Sequence, residues 1–183
     1  DVEPCSTGAS KTSQLASGFI GYAMIEISPF APQHAAGVLG VILPIQQTEF
    51  GIPITLEAQP DLRDIRGFYQ QGNGNFWVAL DHEDVVGTVA LLDIGNNQAA
   101  LRKMFVRATH RGSEHGVARR LLDALLAWCQ ARGVREVYLG TTARFLAAHR
   151  FYEKNGFREI ARAELPERFP VMVVDTRFYC RAL

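Results

Sequence analysis

RGSEHGVARR, residues 111–120, crowds an arginine, two glycines and three further basic residues into the point where a strand gives way to a helix. The first amides of an α-helix have no partner within it, and together with the helix dipole they form a site for an anion. A glycine there lets a phosphate reach the backbone without meeting a Cβ. Gly112 and Gly116 thus frame a loop whose amides can wrap a pyrophosphate, with Arg111, Arg119 and Arg120 offering charge-assisted contacts from its rim. Taken alone, the stretch reads equally well as an ordinary strand-to-helix turn on an arginine-rich face. A P-loop would need a lysine followed by Ser or Thr after its glycines, and a dinucleotide fingerprint three glycines at fixed spacing; neither pattern is present.

Downstream of the loop the apolar period becomes helical. Val117, Leu121, Leu125 and Trp128 share a stripe flanked by Leu122 and Cys129, Arg119, Arg120 and Asp123 face away, and Gly133 ends the helix. REVYLGT (135–141) reads as a strand, ARFLAAHRFYEKNG (143–156) as a helix closed by Gly156, and FPVMVVDTRFYCRAL (169–183) carries a terminal strand. Upstream, NFWVALD (75–81) and DVVGTVALLDI (84–94) form an antiparallel hairpin by pattern, which AALRKMFV (99–106) extends. MIEISPF (24–30) is a first strand stopping at Pro29. A helix over 32–51 is interrupted near Pro44, and a short helix starts at Pro60 and ends in a glycine–asparagine cluster. Hairpins followed by strand–helix–strand–helix–strand predict an α/β domain whose sheet is both antiparallel and parallel.

The 183 residues fit one domain over 21–183, preceded by a polar arm over 1–20. A hydrophobic fraction of 48% with 21% charged residues is that of a soluble protein, and no apolar run reaches the roughly 18 residues of a membrane helix. Nineteen basic and nineteen acidic residues cancel, so nothing in the overall charge favours nucleic acid or an anionic bilayer. Cys5, Cys129 and Cys180 are too few and too far apart for a disulfide framework or a zinc site; a reducing cytoplasm and no metal are expected.

LAAHRFYEKNGF (146–157) places a tyrosine four residues before a Gly-Phe pair, about forty residues after the glycine loop. With that loop it resembles the GNAT superfamily of N-acetyltransferases over roughly residues 76–160. The resemblance implies a central mixed sheet of about six to seven strands flanked by about four helices, with acetyl-CoA as cosubstrate and an amine as acceptor. In the family, the loop holds the coenzyme pyrophosphate and the tyrosine sits beside the thioester sulfur. Tyr152, Gly156 and Phe157 match the second motif position by position. Gly116-Val117-Ala118 matches the end of the first, whereas Arg111 lies two residues too far upstream and Ser113 stands in the place of the usual Arg or Gln. Phe145 occupies a position where the family often has Asn.

The resemblance assigns cofactor binding to Arg111, Gly112, Ser113, Glu114 and His115, continuing through Gly116, Val117, Ala118 and Arg119. It places a backbone oxyanion donor within Met104, Phe105 and Val106, and makes Tyr152 the acid that protonates the departing thiolate. Glu49, Glu57 and Asp93 are candidate bases, with a water relay as the alternative. His149 reads as packing or hydrogen-bonding, Thr141 and Thr142 as channel lining or helix caps, and Cys129 as an inert core thiol. Phe50, Phe68, Tyr69 and Phe169 either shape an acceptor pocket or belong to the core. Direct attack by a primary amine of a small molecule or a protein is expected. The rivals are a non-catalytic CoA-binding sensor and an interaction domain without a CoA site; a homodimer is left open.

Overall fold

The computed structural model describes residues 24–183, so the arm over 1–20 lies outside the described residues. Among these, seven strands form one sheet in the order β1-β2-β3-β4-β5-β7-β6: β1 Ile25–Pro29, β2 Asn75–Asp81, β3 Asp84–Gly95, β4 Gln98–Val106, β5 Glu136–Thr141, β6 Arg158–Ile160 and β7 Arg177–Ala182. Every pairing is antiparallel except that of β4 with β5. That exception follows from the long helix joining these two strands, which returns the chain in the same direction. The three-residue β6 follows Gly156 and is too short for the sequence pattern to reveal.

Five α-helices accompany the sheet among the described residues: α1 Ala35–Pro44, α2 Pro60–Arg63, α3 Ile65–Tyr69, α4 Val117–Arg132 and α5 Leu146–Lys154. The count exceeds four because the helix expected from Pro60 breaks at Asp64. The Asp64 carboxylate accepts the Gly67 amide at 2.8 Å and caps a second helix instead of continuing the first. Pro44 does not split the helix before it. Lacking an N–H, it is followed by a wider turn over Ile45–Glu49, closed by the Phe50 amide on the Ile45 carbonyl at 3.0 Å.

The strands of the hairpin read as almost unbroken apolar runs because both faces of the sheet are covered. Along β2, Phe76, Val78 and Leu80 pack with Val38, Val41 and Ile42 of α1. Trp77 and Ala79 face the opposite layer, where Leu121, Leu125 and Cys129 of α4 and Tyr152 of α5 lie. The α4 stripe follows its 3.6-residue period, and Gly133 closes the helix at φ 72°, a left-handed conformation that costs glycine little. Trp128 lies at the rim of the stripe, half-buried: its ring packs edge-on against Trp77 with centroids 5.9 Å apart, and its indole N–H donates to the Asn73 carbonyl at 2.8 Å. Cys129 is enclosed, and burial pushes its thiol up to about 12, which suits an inert core residue. Leu125 has no exposed surface; Leu125→Ala is expected to cost about 2–5 kcal/mol, read as a lowered denaturant midpoint at unchanged slope.

Candidate active site

The parallel pairing of β4 and β5 lasts for three residue pairs only, Gln98 with Glu136 through Ala100 with Tyr138. Beyond Ala100 the two strands diverge, and the β5-facing backbone of β4 loses its ladder partner. The register of β4 against β3 also slips there. Between Ala90↔Arg102 and Thr88↔Phe105 one residue of β3 opposes two of β4. Lys103 takes the extra place at φ 52°, an uncommon conformation for a residue with a Cβ, and the Thr88 hydroxyl donates to its carbonyl at 2.7 Å. The bulge re-aims the following segment, Met104 to Val106, along the opened wedge.

A cleft of about 160 Å³ fills this wedge, lined by Met104 and Phe105 from β4, Leu139 and Thr141 from β5, and Ala148 and Tyr152 from α5. A second, adjoining cavity shares Met104, Phe105, Phe145 and Ala148 and runs past Val106 to Arg111. The two cavities thus place the Tyr152 ring and the start of the glycine loop on the same side of the opened strands. Tyr152 is 6% exposed and packs edge-on against Phe151 and Phe157, with ring centroids 5.7 and 5.6 Å away. Burial raises its hydroxyl well above the usual tyrosine range, so it keeps its proton throughout neutral pH. Every fully buried polar side-chain atom among the described residues has a partner.

The glycine loop has the backbone expected of an anion cradle. Gly112 and Gly116 both take positive φ, 104° and 60°, and Gly116 caps α4 without any side-chain contribution. The Gly116 amide donates to the Gly112 carbonyl at 3.1 Å, and the next three amides open the 16-residue helix α4 without a partner inside it. Glu114 and His115 are exposed and lie 3.5 Å apart, and Arg119 pairs with Asp123 at 2.8 Å on the solvent side. Arg111 is engaged elsewhere. It donates to the Val106 carbonyl at 2.7 Å and grips both carboxylate oxygens of Glu49, tying the loop to the wide turn after α1 rather than leaving a guanidinium free for phosphate.

None of the three carboxylates put forward as the base lines the cleft with Tyr152. Glu49 is held by Arg111, which lowers its pKa. Glu57 is exposed, and Asp93 accepts the Asn73 and Gly95 amides at 2.9 and 2.8 Å to fix a turn. Asp175 instead supplies the carboxylate in the cleft. It arrives from the segment before β7, and Gly140 makes room for it, since a Cβ there would stand 2.4 Å from an Asp175 oxygen. Burial pushes the Asp175 carboxyl above its ordinary range. Arg102, Lys103 and Gln46 also line the cleft and were missed from sequence. Strand alternation would send these two consecutive cations to opposite faces, and only the bulge at Lys103 brings both to one cleft, so the sequence carried no signal for it.

The remaining candidates sort by contact. His149 is 3% exposed, and its Nδ1 accepts from Arg177 at 2.9 Å, so Nε2 carries the proton donated to the Thr142 carbonyl at 3.0 Å. It fixes the start of α5 and is not placed as an acid or base. Thr141 and Thr142 both line the cleft, and the Thr142 hydroxyl also accepts the Arg144 amide at 3.2 Å. Phe145 packs on Phe50 with centroids 4.3 Å apart, forming an apolar wall of the adjoining cavity. Phe169 lines the cleft, Tyr69 belongs to the core and Phe68 is 38% exposed.

Residues 39–157 match the family model for the acetyltransferase (GNAT) family. The chain belongs to the GNAT acetyltransferase family. A GNAT-family acetyltransferase from Staphylococcus aureus MU50 is 40% identical, superposes with a TM-score of 0.82, and is matched over 86% of this chain and 98% of its own. The zebrafish (Danio rerio) N-acetylaspartate synthetase is 37% identical over 106 residues, 57% of this chain. This chain spans 37% of that relative's length. An N-acetyltransferase from Thermoplasma acidophilum, solved in complex with coenzyme A, shares the fold at 18% identity with a TM-score of 0.65, over 87% of this chain and 99% of its own. No helix among the described residues is long and apolar enough to cross a membrane, and no group of metal-ligating side chains occurs among them.

Proposed function

We propose that this GNAT protein transfers an acetyl group from acetyl-CoA to a primary amine by direct attack, with Tyr152 as the acid. The observation that carries the reading is the wedge between β4 and β5, whose two adjoining cavities reach from the Tyr152 ring to Arg111, the first residue of the glycine loop. The loop from Gly112 and the free amides of Val117, Ala118 and Arg119 suit a pyrophosphate, and the apolar walls at Phe50 and Phe145 suit a pantetheine arm. When bound, acetyl-CoA supplies the activated acetyl thioester; the remaining work falls to the chain. A backbone N–H within Met104–Val106 faces the acetyl oxygen and stabilises its developing charge. The Tyr152 hydroxyl gives its proton to the leaving sulfur, and the Asp175 carboxylate takes the proton that the nitrogen sheds.

Direct attack is preferred over a covalent acetyl-enzyme because the Cys129 thiol is enclosed in the α4 core and strongly disfavours its thiolate. Incubation with acetyl-CoA and a panel of primary amines, read by mass spectrometry, tests the proposal: an acetylated amine and free CoA are expected in equal amounts. A thermal midpoint raised by acetyl-CoA without any product would favour the sensor reading, and an unmoved midpoint would favour the interaction domain.

The proton assignment has a pH signature. A base works only when deprotonated, and burial lets Asp175 hold its proton to higher pH than an exposed aspartate. The value of kcat/KM is therefore expected to fall as pH drops through a limb lying above the ordinary carboxylate pKa of about 3.9. Asp175→Asn removes that limb and lowers kcat about a hundredfold; a variant that keeps the limb would take Asp175 out of the role.

A further inference from the structure

The acceptor side of the cleft holds a guanidinium that no carboxylate meets within hydrogen-bond reach. Arg102 and Lys103 both line it, with side chains 13% and 7% exposed. Two successive strand residues share the cleft because Lys103 sits in the bulge. Lys103 is occupied: its Nζ donates to the Gln59 Oε1 at 2.6 Å and lies 3.3 Å from the Asp61 Oδ2. Asp61 is occupied as well, accepting the Tyr69 hydroxyl at 2.5 Å on that same oxygen.

Arg102 is in a different position. Its nearest carboxylate, Asp61, stands at 3.9 Å, beyond hydrogen-bond reach, and its hydrogen bond within the protein goes to the Met172 thioether at 3.3 Å, a weak acceptor. A guanidinium presents five N–H donors in a planar fork. The Phe68 and Tyr69 rings, each 5.9 Å from its central carbon, hold that fork in place. Asp175, which lines the cleft, acts on the Arg102 charge only at longer range; its Oδ2 accepts the Met172 amide at 2.9 Å. Asp61 and Asp175 match the two cations of this wall in number, yet neither gives the Arg102 guanidinium a hydrogen-bonding oxygen.

We infer that the acceptor is a small amine bearing a carboxylate, which Arg102 receives while Asp175 faces the nitrogen. The assignment rests on the acetyl-transfer reading of the same cleft and adds the class of substrate to it. A planar fork held by two aromatic rings matches a carboxylate in two-point contact. A cleft of about 160 Å³ is small beside the roughly 300–1,000 Å³ of drug-sized sites, so the carboxylate lies within a few bonds of the amine.

The test compares matched acceptors on the wild-type protein: glycine, β-alanine and L-aspartate against glycinamide, ethanolamine and methylamine, all with acetyl-CoA. The carboxylated amines are expected to show kcat/KM at least about tenfold higher. Arg102→Gln should raise KM for them roughly tenfold to thirtyfold, leave kcat within about threefold, and erase the preference over the neutral amines. Unchanged acetyl-CoA affinity establishes that the variant is folded, and the wild-type comparison decides the matter if it is not. Equal or faster acetylation of the neutral amines overturns the carboxylate assignment while leaving acetyl transfer standing. No product from any amine overturns both.

Discussion

Tyr152→Phe lowers turnover by about a hundredfold or more while acetyl-CoA affinity stays within about twofold. The substitution removes one oxygen and keeps the ring, so the packing of Tyr152 against Phe151, Phe157 and Tyr179 survives, and with it the α5 side of the wedge. What is lost is a hydroxyl in the cleft that burial keeps protonated throughout neutral pH. A thiolate leaving without a proton carries its full charge into an apolar channel, which is the costly state that the hydroxyl avoids. Loss in kcat with binding retained identifies an interaction made in the transition state rather than in the bound ground state. Steady-state kinetics beside calorimetric titration with acetyl-CoA checks both halves. Unchanged turnover would remove Tyr152 from the acid role and leave it as a packing residue of α5.

Gly116→Val is expected to weaken acetyl-CoA binding by about two orders of magnitude, the loss of two charge-assisted amide contacts. Gly116 stands at φ 60°, and the only atom near a Cβ there is the Ser113 carbonyl at 3.9 Å, so the site has room. The penalty comes from the backbone. A β-branched residue in the left-handed region costs on the order of 1–3 kcal/mol, which the loop relieves by leaving that conformation. Its amides then no longer converge where α4 begins, and the added methyl groups occupy the space that a phosphate would approach. Gly116→Ala, with less bulk at the same φ, should fall between the two. Calorimetry gives the affinities, and a cooperative melt of the ligand-free variant shows whether it folds. Normal affinity in a folded Gly116→Val protein would contradict the cradle.

The elements were legible where local chemistry decides them. The apolar run of β2, the 3.6-residue stripe of α4 and its glycine terminator are all properties of neighbouring residues, and the structure follows them closely. The short helices were less legible, because the Asp64 side chain competes with the backbone for an amide, and a cap cannot be told from a helix interior by composition. On the site, Tyr152 and the glycine loop were readable as a motif. The base was not, because the carboxylate that lines the cleft comes from a loop without regular structure and enters only where Gly140 leaves space.

From its sequence alone, this protein was bound to form a mixed sheet with a glycine-opened helix, because steric preference and apolar period act between residues a few positions apart. Tertiary structure alone decided that β4 and β5 part after three residue pairs, that a bulge turns both Arg102 and Lys103 into one cleft, and that Asp175 meets them there. Those outcomes depend on the register between strands distant in the chain. A register is the balance of an entire packed sheet, which no local stretch encodes.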